Sequence, residues 1–130
     1  MTFAKEITDW TIKADGLQRE QVKFVCFTLT TDIMNGTPVD TGRALGNWQP
    51  SIGSPINVTI ERYDKTGAAS IAAAQPFIDK APGKIFYLTN NLPYIYRLEF
   101  EPGFAKNKQG GWVRYSVQRA KQLAAKLPRS

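Results

Sequence analysis

The apolar positions change period along the chain, and each change predicts an element. Phe3, Ile7, Trp10 and Ala14 step by four, three and four, which predicts a helix over 3–14, interrupted at Asp15-Gly16. A second helix is predicted over 17–34, where Val22, Val25, Cys26, Leu29 and Ile33 share one face. Phe24, Phe27 and Met34 broaden that face, so this helix should be well buried. Asn35-Gly36 should end it, one of the two supplying a left-handed residue. Residues 37–55 read as loop, broken by prolines and glycines. Residues 56–62 then alternate, with Ile56, Val58 and Ile60 on one side and Asn57, Thr59 and Glu61 on the other, a half-buried strand. The alanine-rich run 67–74 predicts a short helix stopped near Pro76. Residues 85–89 and 94–100 predict strands joined by the turn Asn90-Asn91-Leu92-Pro93. After a loop over 101–111, the spacing Val113, Val117, Ala120, Ala124, Leu127 predicts a last amphipathic helix, closed by Pro128. The order describes one α+β domain over residues 1–130: two N-terminal helices, a small antiparallel or mixed sheet with an intervening short helix, and a C-terminal amphipathic helix.

Composition narrows the chemistry. With 42% hydrophobic and 12% aromatic residues in 130, the chain can build one real core. It has no histidine and one cysteine, which excludes zinc sites and Ser-His or Cys-His nucleophile systems. No phosphate-cradling glycine run occurs, and no cofactor is expected. Cys26, set among Phe24, Val25 and Phe27, reads as a small buried apolar residue. The start of the chain has no signal-peptide layout, and charges interrupt every apolar run, so a soluble protein with no membrane partner is expected.

The net charge of +6 is unevenly placed. Residues 1–101 hold ten Lys/Arg against eleven Asp/Glu, whereas 102–130 hold Lys106, Lys108, Arg114, Arg119, Lys121, Lys126 and Arg129 with no acid. Such a segment can face nucleic acid or an acidic neighbour, or be a solvated helix face.

The most distinctive stretch is Thr37-Pro38-Val39-Asp40-Thr41-Gly42-Arg43, followed by Asn47-Trp48. Pro38 stops a helix, Asp40 can accept amides two residues on, Gly42 permits a positive φ, and Trp48 can anchor the loop by packing. Asp40-Thr41-Gly42 is also the tripeptide of aspartic proteases, which pair two such carboxylates. Here it follows a helix rather than an apolar strand, and a chain this short would need to dimerise. The second distinctive stretch is Asn90-Asn91-Leu92-Pro93-Tyr94 with Tyr96, Arg97 and Glu99. It reads as a tight turn with aromatic cross-strand pairs, or as a hairpin reaching a neighbouring subunit.

Together these stretches resemble the small tail-completion, neck or minor tail proteins of long-tailed double-stranded DNA bacteriophages, including the lambda Z-type proteins. Members of that family carry a similar Thr-Pro-Val-Asp-Thr-Gly-Arg run with an Asn-Trp pair after a long helix. They also carry a strand, an Asn-Asn-x-Pro-Tyr turn and a Leu-Glu pair like Leu98-Glu99, then a start like Gly111-Trp112-Val113-Arg114. The match runs in order over about residues 20–120, and departs from the family between Glu99 and Ala105. The resemblance implies a non-enzymatic virion protein, assembled in the host bacterial cytoplasm and placed at the neck. There it would form a ring, hexameric by tail symmetry, between tail-tube or terminator proteins and the head connector (stopper or adaptor), with genomic DNA passing through. In such a ring 37–43 with Asn47 and Trp48 is the candidate assembly loop, and Asn90, Asn91, Pro93, Tyr94, Tyr96, Arg97 and Glu99 form the candidate hairpin reaching the next subunit. The alternative reading is a basic, non-specific nucleic-acid-binding module built on the C-terminal segment; an aspartic protease is the third.

Overall fold

The computed structural model describes residues 16–101 and 110–129, so the helix expected over 3–14 lies outside the described residues. Helix α1, Arg19–Gly36, starts where Gln21 reaches in two directions. Its carboxamide oxygen accepts the Gln18 amide at 2.8 Å, and its nitrogen donates to the Pro128 carbonyl at 3.2 Å. Val25, Ile33 and Met34 face inward. Phe24 and Phe27 do not: they are 52% and 39% exposed, so the apolar stripe is wider than the surface its packing partners cover. Cys26 is part-buried, and burial pushes its thiol up to about 11, away from the reactive thiolate.

Gly36 closes α1 for a different reason from the one expected. It does not take a left-handed conformation; it leaves room for a ring. A Cβ there would meet Trp112 Cδ1 at 2.6 Å, and the Trp112 indole donates to the Ile33 carbonyl at 3.0 Å. Thr37 then caps the helix, its amide bonding the Met34 carbonyl at 3.2 Å and its hydroxyl the Ile33 carbonyl at 2.7 Å.

The region 37–55 is more ordered than its prolines and glycines suggest. It contains a one-turn helix, α2 (Arg43–Gly46), and a strand, β1 (Gln49–Ile52). β1 pairs antiparallel with β2 (Phe86–Thr89), Gln49 opposite Thr89 and Ile52 opposite Phe86, in a two-stranded sheet. Pro50 is tolerated because each strand of so small a sheet has a free edge.

Three further expectations are corrected. Residues 56–62 join no ladder: Val58 is 57% exposed and the segment is held by side chains instead. Helix α3, Ala68–Asp79, runs through Pro76 rather than stopping there. Pro76 and Ala72 are both exposed, so water can serve the carbonyl that proline leaves unbonded. Residues 94–100 are not a strand but helix α4, Ile95–Phe100, whose buried Ile95, Leu98 and Glu99 are spaced three and four apart. The turn at 90–93 therefore joins a strand to a helix, and there is no hairpin.

Helix α5, Trp112–Lys126, buries Val113, Ser116, Val117, Ala120 and Ala124, close to the stripe expected. α1 packs against α5 and α3, and α3 against β1. Trp48, Ile33, Leu88, Ile95 and Val113, all nearly inaccessible, sit where these elements meet. The result is an α+β fold with five helices around a small antiparallel sheet among the described residues. No helix among them is long and apolar enough to cross a membrane.

Candidate functional site

The two distinctive stretches, far apart in sequence, interlock. Thr37 is the pivot of the first: its hydroxyl, already donating to Ile33, accepts the Trp48 indole N–H at 2.9 Å, and both residues are buried. Asn47 closes the loop around α2. Its amide nitrogen donates to the carbonyls of Arg43 (2.9 Å) and Ile60 (3.0 Å), and its oxygen accepts the Ile60 amide at 2.9 Å. Asn90, from the second stretch, reaches across to donate to the Ala44 carbonyl at 2.8 Å.

The residues expected to form a strand at 56–62 are held by the same polar set. Gln49 donates to the Val58 carbonyl at 2.6 Å, and Asn91 to the carbonyls of Ile56 (2.8 Å) and Val58 (3.2 Å). Arg62 Nε donates back to the Gly46 carbonyl at 3.0 Å. Side-chain amides thus do for this segment what a neighbouring strand would otherwise do. Gly42, at φ +86°, and Gly46 are required where the chains touch: a Cβ on either would run into the backbone of Asp64 or Arg62.

Asp40, the residue expected to organise the turn, is exposed, and it is Thr41 Oγ1 that accepts the Arg43 amide, at 3.3 Å. The organising carboxylate is Asp64, which the sequence reading missed. It accepts the Gly67 and Ser70 amides at 2.9 Å each and the Ser70 hydroxyl at 2.8 Å, capping α3. Burial alone raises its pKa; the bonds from Ser70, Gly67 and Thr66 outweigh burial and hold it below the ordinary carboxylate value. Its signal was Asp64-x-Thr66-Gly67-x-x-Ser70 ahead of an alanine run, a helix-start pattern.

Glu99 belongs to no surface. It is fully buried, with its carboxylate at the start of α5, accepting the amides of Val113 (3.1 Å) and Arg114 (2.8 Å). Arg114 folds back on it, Nε to Oε2 at 3.1 Å, and lies over the Phe100 ring at 4.3 Å. This clamp joins the Leu98-Glu99 pair to the Gly111-Trp112-Val113-Arg114 start. Asn90 and Asn91 are likewise spent within the fold, and Arg97 pairs with Glu101 at 2.8 Å.

What remains at the surface is a patch. Val39 (44% exposed), Asp40 and Thr41 lie beside Tyr63 (56%) and the half-buried Arg43 and Tyr94. The phenol of Tyr94 is raised by burial, with Arg43 pulling it down and Tyr63 and Asp40 pushing it up, which places these groups within electrostatic reach of one another. Pro93 and Tyr96 are also exposed. Of the basic candidates, Arg114 is engaged as above and Arg119 lies 3.6 Å from Asp32. Lys121, Lys126 and Arg129 are exposed, and Lys106 and Lys108 lie outside the described residues. No group of three or more His, Cys, Asp or Glu among the described residues could hold a metal ion. No family model, curated protein or solved structure matches this chain.

Proposed function

We propose that this chain is a non-enzymatic structural subunit of a tailed bacteriophage particle. In this reading it forms a ring at the head-proximal end of the tail that completes the tail and joins it to the head connector. The observation that carries the reading is the interlocking of the motif residues. Asn90 grips the loop behind Thr37–Arg43, Trp48 is fixed by Thr37, and Glu99 caps the helix that begins at Trp112. The residues that bear the resemblance therefore build one framework, as a fold signature should. Around it, Val39, Asp40, Thr41, Tyr63 and Tyr96 are exposed and can meet a neighbour, aromatic and polar as interfaces favour.

Asp40 fits this role better than catalysis: it sits on an exposed loop after a helix, one of several groups in a surface patch. The test is genetic. A phage whose copy of this chain is interrupted should accumulate filled heads and separate tails, and joining should be restored by supplying the protein. Normal yields of joined, infectious particles without the chain would overturn the reading.

A further inference from the structure

We infer that the end of the molecule where α1 begins and α5 finishes is a contact surface for the phosphates of duplex DNA. The two helices run antiparallel. Trp112, at the start of α5, lies on Gly36 and bonds Ile33 near the end of α1. At the far end Gln21 bonds the Pro128 carbonyl, and a Cβ on Gly16 would lie 3.3 Å from the Arg129 side chain. With 18 residues in α1, the two ends are about 27 Å apart.

This packing sorts the basic residues in a way their order along the chain does not show. Arg114 and Arg119 are drawn to Glu99 and Asp32, so they leave the set. Arg19, from the first turn of α1, joins it. Arg19, Lys126 and Arg129 stand exposed at one end, with Lys121 between one and two turns back along α5. The described acid nearest them in sequence, Glu20, is engaged by Lys23 at 3.3 Å. Among the described residues, this end therefore carries a local excess of positive charge.

The chemistry of the surroundings points to a phosphate backbone rather than an acidic protein. Protein interfaces place charge around a buried apolar centre. Here the exposed residues adjoining them in sequence are Gln18, Glu20, Gln122, Ala125 and Pro128, none of them a large apolar side chain. Cations on long side chains suit non-specific contact through counterion release. The inference rests on the neck-ring reading only for the source of the DNA.

The test is titration of the full chain with a labelled duplex of mixed sequence at about 50 and 200 mM salt, where each phosphate contact contributes about −0.9 to the salt slope. Arg19→Gln, Lys126→Gln and Arg129→Gln together should weaken binding at least tenfold at the lower salt and flatten the slope by about two to three units. Lys65→Gln, Lys80→Gln and Lys84→Gln together, which remove the same charge from exposed positions elsewhere, should change affinity less than twofold. Equal losses in the two variants, no duplex binding by the wild type, or equal affinity for polyglutamate would each overturn the proposal. Thermal melts of both variants establish that they fold. Joining of heads to tails is read separately: failure of the neck reading shows there, and failure of this inference shows in the titration.

Discussion

At the scale of single residues, the molecule spends its polar side chains on its own backbone. Thr37 is both donor and acceptor in the join between α1 and Trp48, and Asn47 serves three backbone groups at once. Not every buried group among the described residues is served: Thr30 is inaccessible and its hydroxyl has no hydrogen-bond partner. Thr30→Val should therefore stabilise the fold by about 1 kcal/mol, since an orphaned hydroxyl is replaced by a methyl of similar size. A urea midpoint unchanged or lowered would contradict this. Asp64 makes the opposite case. Its folded pKa lies below its unfolded value, so its contribution is complete above the unfolded value and is lost as pH falls through the folded one. Asp64→Asn should cost about 1–3 kcal/mol near neutral pH, and that gap from wild type should close as pH falls below about 4. A gap constant with pH would show that the charge of Asp64 is irrelevant to the cap.

At the scale of elements, the long helices were legible because their apolar residues repeat at helical spacing: α1 and α5 lie within two residues of where the pattern puts them. The short elements were not. Residues 94–100 alternate as a strand would, yet a helix buries Ile95, Leu98 and Glu99 together, and in six residues either period fits. Residues 56–62 carry a strand pattern but find no strand partner, because the amides of Asn47, Gln49 and Asn91 occupy their carbonyls. The two distinctive stretches stood out in the sequence, but what their residues do in the fold did not. Glu99 looked like a surface residue until α5 was seen to begin on it. Gly36 looked like a helix terminator until the Trp112 ring was seen against it. The two roles of Gly36 predict different outcomes for Gly36→Ala. Helix propensity favours alanine by up to about 1 kcal/mol. The clash with Trp112 should cost about 1–3 kcal/mol and prevail, because both backbones are fixed by neighbouring bonds. A lowered melting temperature is expected; a raised one would mean that the indole moves aside at little cost.

At the scale of the whole molecule, the proposed ring subunit would meet its neighbours through the exposed patch around Asp40 and Tyr63 and the basic end, with the interlocked motifs holding both in place. The patch follows the C-terminal end of α1, whereas Arg19, Lys126 and Arg129 stand at the other. A subunit with different surfaces at its two ends suits head-to-tail contacts, which close into a ring when the rotation between copies permits. The most direct measurement of the neck reading is an electron-microscopy map of the intact phage particle. It should show copies of this chain in a closed ring at the junction of tail and head connector, with the 37–43 loop against an adjacent subunit. A complete map of the junction in which no density accommodates this fold would contradict the account.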